Sequence, residues 1–279
     1  MQRKDWMPTN LKISLAQLEF KFKSEEENIS KAREAITKAS KIGSDLVLLP
    51  ELWASGFDLK NWGKYASPLN QGIFSLLQRL SKENNIAIGN SLLELKDDQG
   101  FNTFVLFGKN GETLGVYRKI HRFRLLEEEK WLGAGDRVVI TDTPWGKFGL
   151  AICYDLRFPE VFRPYAISGA RLVLIVAEWP EKRVDHWTKL LQARAIENQM
   201  FFAAVNKVGE SKGVKLGGRS AIIDPWGKPI LEGDDQPALL TAEIDLLETE
   251  KARKAIPVLQ DIRFESYKLE GDEIIWAHQ

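Results

Sequence analysis

The chain has 279 residues, 44% hydrophobic and 28% charged, an ordinary globular composition with ample material for a core. Its 39 Lys and Arg balance 39 Asp and Glu, so net charge gives no reason to propose nucleic acid or an anionic membrane as partner. The single cysteine excludes an internal disulfide, and neither a signal-peptide core in "MQRKDWMPTN" nor a membrane-length apolar stretch is present, which points to the cytoplasm.

From the N-terminus, "LKISLAQLEF" (Leu11–Phe20) alternates as a half-buried strand does. "SEEENISKAREAITKASKIG" follows as a helix: Ser24 is the expected N-cap with Glu27 three residues on, Ile29, Ala32, Ile36 and Ala39 form an apolar stripe, and Gly43 closes it. "DLVLLPE" is a short apolar strand ending in a charge. "GIFSLLQRLSKENN" then predicts a helix and "IAIGNSLLEL" a strand. "NTFVLFGKNGETLGVYRK" predicts a hairpin turning at Asn-Gly, which tolerates positive φ.

The second half repeats the alternation: strand "KFGLAICYD", helix "PEVFRPYAISG", strand "ARLVLIVAEWP", helix "DHWTKLLQARAIENQ", strand "MFFAAVNKVG", and "RSAIIDPWGKPI" running into a Pro/Gly turn. The pattern predicts one α/β layered domain of mixed sheets spanning 1–279. The tail from about Glu248 onward is expected to be irregular and to drape over the body or a partner subunit.

Three strand ends each deliver a reactive group: Glu51 after "LVLLP", Lys119 after "LGVYR", and Cys153 after "GLAI". Each has a structural alternative: a helix-terminal carboxylate, a surface lysine, a small buried thiol. Together they supply acyl transfer. A thiol attacks carbon only as thiolate and needs a base, which a carboxylate provides. An ammonium, with the backbone N–H of Tyr154 just after the nucleophile, stabilises the oxyanion of a tetrahedral intermediate. The three histidines (His121, His186, His278) show no catalytic or metal-ligand spacing, and no metal is expected.

These segments resemble the nitrilase superfamily of carbon–nitrogen hydrolases, from about Leu11 to about Asp245. "LLPELWASGF" carries Glu51, "YRKIHRF" carries Lys119 and "CYDLRFPE" carries Cys153; "AEWP", "QARAIENQMFFAAVNKVG" and "GRSAIIDPWG" are also similar to the family. The resemblance implies a four-layer αββα sandwich and a homodimer or larger assembly built on the helical face beside the nucleophile. It also implies no cofactor, and a second active-site glutamate, for which "RLLEEEKW" offers Glu128 first and Glu127 second.

Specificity is less sharply written. Arg122, Arg124 and Arg157 lie near the motifs and suit a substrate carboxylate, with structural salt bridges as the alternative. "HRFRLLEEE" most resembles branches that remove the terminal amide of dicarboxylic acid monoamides, the ω-amidase type. Phe123, Trp131, Phe158 and Trp179 are candidate pocket walls or core. Glu178 stands where the family commonly has a small residue such as Asn, so it either repels an anionic substrate or pairs with an Arg. Lys207 stands where Arg is common, a neutral change if it lies at the surface. Rival readings are a nitrilase or N-carbamoyl amide hydrolase on the same residues, a glutaminase module tethered to a synthetase, and a non-catalytic assembly protein retaining the fold.

Overall fold

The computed structural model describes residues 8–267. The first seven residues of "MQRKDWMPTN", His278 and the last part of the tail lie outside the described residues. The first half runs β1 (Asn10–Gln17), α1 (Glu25–Lys41), β2 (Leu46–Leu48), one-turn α2 (Trp62–Tyr65), α3 (Gly72–Asn84), β3 (Ala87–Lys96), β4 (Gln99–Phe107) and β5 (Thr113–Arg118). After one-turn α4 (Glu128–Trp131) come β6 (Ile140–Thr143), β7 (Gly146–Ile152), α5 (Pro159–Ile167), β8 (Leu172–Ala177), α6 (Val184–Asn198) and β9 (Phe201–Asn206). A small ribbon of β10 (Glu210–Ser211) and β11 (Val214–Lys215) precedes β12 (Ala221–Ile223), β13 (Pro229–Glu232), β14 (Ala238–Asp245) and α7 (Leu247–Ala255).

Among the described residues the strands form two six-stranded sheets, ordered β14-β1-β2-β3-β4-β5 and β13-β12-β9-β8-β7-β6, besides the ribbon. Each has a parallel centre (β1-β2-β3 and β7-β8-β9) flanked by antiparallel strands. The central strands are near-continuous apolar runs because both of their faces are buried. In β8, Leu172, Leu174 and Val176 point between the sheets, against Leu15, Leu48 and Phe104, while Val173 and Ile175 meet α5 and α6. On the far side Ala32, Ile36 and Ala39 of α1 and Phe74 and Leu77 of α3 cover the first sheet. The layers are therefore helix, sheet, sheet, helix, as the resemblance implies.

Several local expectations are corrected. Strand β1 stops at Gln17, whose amide donates to the Asp234 and Gln236 carbonyls rather than continuing a ladder. Ser24 is the N-cap of α1 by position, but its hydroxyl makes no capping bond. Ile29 is only half-buried; Asn28 is buried instead, its amide clamping the Lys21 backbone and the Ala54 carbonyl. The start of the tail is not irregular: α7 spans Leu247–Ala255, with Arg253 donating to the Ala170 carbonyl. The segment beyond α7 does lie on the body, where Phe264 and Tyr267 share a cleft with Pro159 and Arg163 of α5.

Candidate active site

The C-terminal ends of the parallel strands of both sheets meet at one edge. Three residues past β2, Glu51 opens a turn that Gly56 completes: at φ +61°, a Cβ there would sit 2.4 Å from the Lys21 carbonyl oxygen, so only glycine fits. Lys119 follows β5 directly, its N–H donating to the Asn102 carbonyl (2.9 Å). Cys153 follows β7 directly, but it does not end the strand. It begins a 3₁₀ turn, Cys153–Arg157, at φ +45°, a conformation costing of order 1–3 kcal/mol for a residue with a Cβ.

Glu51, Lys119 and Glu128 are all buried, and the Lys119 ammonium donates to Glu51 Oε1 and to Glu128 Oε1, both at 2.8 Å. An ammonium has three N–H donors, so one remains beyond these two carboxylates. Glu51 Oε1 also accepts from the Asn102 amide (2.8 Å) and Oε2 from the Glu178 N–H (3.0 Å). Glu128 Oε2 accepts from the Phe123 N–H (3.0 Å). Glu127, the alternative second glutamate, instead turns outward and pairs with Lys130.

Burial opposes the Lys119 charge, yet the Glu128 and Glu51 carboxylates hold its pKa well above the ordinary lysine value. Burial pushes the Glu128 carboxyl up, against the pull of Lys119 and with help from Glu51. The Cys153 thiol is raised well above its usual range by burial first and by the nearby Glu51 carboxylate second, with Lys119 opposing. Burial and the Glu51 carboxylate thus both favour the protonated form of the thiol.

Asp155 holds the turn after Cys153. It is buried and accepts from the Tyr117 hydroxyl (2.7 Å), the Ile152 N–H (3.0 Å) and the His121 N–H (3.1 Å), and its Oδ1 lies 2.9 Å from His121 Nδ1. His121 stacks on Phe158 at 3.6 Å. His121 is thus a packed, hydrogen-bonded histidine. The Tyr154 N–H falls in the first turn of the 3₁₀ segment, where backbone N–H groups have no partner within the helix.

Cys153 is half-buried and opens into a cavity of about 530 Å³. Phe123, Tyr154, Arg157, Glu178 and Trp179 line it; Arg122, Arg124, Trp131 and Phe158 do not. The Arg122 guanidinium donates to the Leu132 carbonyl (3.0 Å), Arg124 is exposed, and Trp131 packs beside Leu59 and Leu132. Arg157 lies 4.7 Å over the Trp179 ring, and burial together with the Arg183 charge lowers its pKa. Glu178 meets no Arg: it pairs with Lys207, which is buried rather than at the surface. Sequence reasoning also passes over Asn102, Asp155, Arg183 and Lys212. The last two line the cavity from the start of α6 and from the β10–β11 turn. Among the described residues no three His, Cys, Asp or Glu side chains gather as a metal site would require.

The Carbon-nitrogen hydrolase family model matches residues 12–254. The chain belongs to the carbon–nitrogen hydrolase family. A 2-oxoglutaramate amidase of Bacillus subtilis (strain 168) is 40% identical, over 91% of this chain and 98% of that protein. The human omega-amidase NIT2 is 30% identical over 94% of this chain and 98% of its own length. Among solved structures, a CN-hydrolase superfamily protein from Xanthomonas campestris, carrying an arsenic adduct in its active site, matches with TM-score 0.84 and 30% identity over 93% of this chain and 99% of that one. An amidase variant from Nesterenkonia sp. AN1, with acrylamide added at its active-site cysteine, matches with TM-score 0.81 and 27% identity, over 91% of this chain and 97% of that chain. As a member of this carbon–nitrogen hydrolase family the chain is an enzyme that hydrolyses a non-peptide carbon–nitrogen bond, and the helix–sheet–sheet–helix layering is that of its solved relatives.

Proposed function

We propose that the protein is an ω-amidase: it removes the terminal amide of a small dicarboxylic acid monoamide, a 2-oxo acid amide being the leading substrate, by way of a Cys153 thioester. The carrying observation is the half-buried Cys153 beside the Glu51–Lys119–Glu128 cluster, at the floor of a cavity whose Arg157, Arg183 and Lys212 form no salt bridge among the described residues. Three such cations suit a substrate carboxylate at the far end from the thiol. The names of the Bacillus subtilis and human relatives support the same substrate class.

In the proposed reaction Glu51 takes the Cys153 proton as the sulfur attacks the amide carbon. The carbonyl electron pair moves to oxygen, which the third Lys119 N–H and the Tyr154 N–H receive. Glu51 returns the proton to the nitrogen, the C–N bond breaks, and ammonia leaves a thioester. Glu51 then deprotonates a water that attacks the thioester carbon, and the expelled sulfur recovers the proton as the carboxylic acid departs. Glu128 holds Lys119 charged and in place. No cofactor takes part.

A homodimer is proposed on the α5–α6 face, where Ile167, Ile196 and Trp226 are exposed, a patch suited to association. Ammonia release from a panel of dicarboxylic monoamides, neutral amides, N-carbamoyl amino acids and nitriles tests the function, with Cys153→Ala alongside. Turnover confined to monoamides and lost in the variant is the expected outcome. Turnover of nitriles or carbamoyl compounds alone, or activity surviving in Cys153→Ala, would sink the reading.

A further inference from the structure

Glu178 and Lys207, the two residues that the sequence resemblance marks as departures, meet each other. Glu178 and Lys207 are the first residues beyond neighbouring parallel strands β8 and β9, whose last register pair is Ala177 with Asn206. Both are buried, and the Lys207 ammonium donates to Glu178 Oε2. The Lys207 N–H also donates to the Ala177 carbonyl at 3.2 Å, tying the two strand ends together. Glu178 stands on the cavity wall, with its N–H on Glu51 (3.0 Å) and its carbonyl oxygen 3.9 Å from the Cys153 sulfur. Lys207 is not part of that wall. A carboxylate beside the nucleophile is thus neutralised from behind. The nearby Lys212, whose ammonium donates to the Phe57 carbonyl at 2.8 Å, feels the Glu178 charge but forms no salt bridge with it, so the direct ion pair is the one with Lys207.

We propose that Lys207 is a specificity-determining positioning residue: by pairing with Glu178 it masks a negative charge on the cavity wall and lets an anionic substrate approach Cys153. This deepens the ω-amidase reading and rests on it for the identity of the anion. Without the mask, a substrate carboxylate about 6 Å from Glu178, at an effective dielectric near 20, would be disfavoured by roughly a hundredfold. Solvent in the open cavity reduces that, so at least about a tenfold effect is expected.

Cys153 is the only cysteine, so its alkylation reports the field at the site whether or not a substrate is turned over. The measurement is the rate of modification by iodoacetate relative to iodoacetamide, followed by intact mass, in wild type, Lys207→Met, Lys207→Arg, Glu178→Gln and the Lys207→Met/Glu178→Gln double variant. The anion-to-neutral ratio is expected to fall at least about tenfold in Lys207→Met and to return to within about threefold of wild type in Lys207→Arg and in the double variant. Glu178→Gln, which leaves the ammonium unmasked instead, is expected to raise the ratio, and it keeps the test standing if Lys207→Met does not fold. An equal slowing of both reagents in Lys207→Met, or a lower ratio in Glu178→Gln, overturns the proposal in favour of a purely structural pair. The same variants assayed on a dicarboxylic monoamide and a neutral amide of equal length separate the two ideas. If wild type hydrolyses no anionic amide while the alkylation ratio responds, the substrate reading fails and the masking stands. If wild type hydrolyses one and neither ratio moves, the masking fails alone.

Discussion

Two buried Glu–Lys pairs lie at the same edge of the sandwich, and they are built from corresponding parts of the two sheets. Glu51 follows β2, the middle strand of the first parallel trio, and Glu178 follows β8, the middle strand of the second. In the first pair the lysine serves two carboxylates, and every oxygen of Glu51 is engaged. In the second, one ammonium meets one carboxylate at the margin of the cavity. The difference separates two uses of a buried ion pair. Where an excess of acceptors surrounds the ammonium, a carboxylate is left able to exchange a proton with a neighbouring thiol. Where the charges match one to one, the pair is inert and only sets the field. Burying such a pair is no gain in stability by itself, so both are better understood through what they do at the site.

The sharpest way to break this comparison is to remove the charge of each glutamate. Glu51→Gln is expected to lower kcat by about a thousandfold or more, since positioned general acid–base groups contribute roughly 10²–10⁴. Glu178→Gln, measured on an uncharged amide, is expected to stay within about tenfold of wild type. Comparable losses in the two variants would erase the distinction. Next in size is Asp155→Ala. It strips the Tyr117 hydroxyl, the Ile152 N–H and His121 of their shared acceptor, and a loss of about 3 kcal/mol is expected in urea unfolding.

A third test uses pH. Because burial and the Glu51 carboxylate raise the thiol, its thiolate fraction grows only as pH climbs beyond the ordinary thiol value of about 8.5. The rate of iodoacetamide modification of the free enzyme is expected to be still rising there. A plateau near neutrality would mean a preformed thiolate and would remove the need for Glu51 as base. The smallest effect belongs to Ser24→Ala: with no capping bond to lose, thermal unfolding should register less than about 0.5 kcal/mol, against roughly 1 for a working cap.

The proposed reactive trio is legible in the sequence because each member follows a strand segment, and strand ends are visible locally. The resemblance ranks Glu128 before Glu127, and the reason shows only in space: Glu127, at φ +55° just before the single turn of α4, faces outward while Glu128 faces in. Asn102, inside β4, and Asp155, just beyond β7, are silent in sequence because a polar residue in or beside a strand usually signals a solvent face. Lys207 and Glu178 look like two unrelated departures until the β8–β9 register sets them side by side. Helix α7 escapes notice for another reason: its buried positions, Thr249 and Ala252, are too small to draw an apolar stripe. Strand β14, at the edge of its sheet, is mostly half-exposed and carries a correspondingly weak pattern.

The division of the reacting groups between the sheets has a mechanical consequence. The Tyr117 hydroxyl reaches from β5 to Asp155 beyond β7, and the Glu178 N–H reaches back from β8 to Glu51 beyond β2. A slip of one sheet across the other by little more than a hydrogen-bond length would part thiol from base while leaving both ladders of strands intact. Heating should therefore silence the enzyme before it melts, and catalysis itself becomes the finest gauge of how the two halves are aligned.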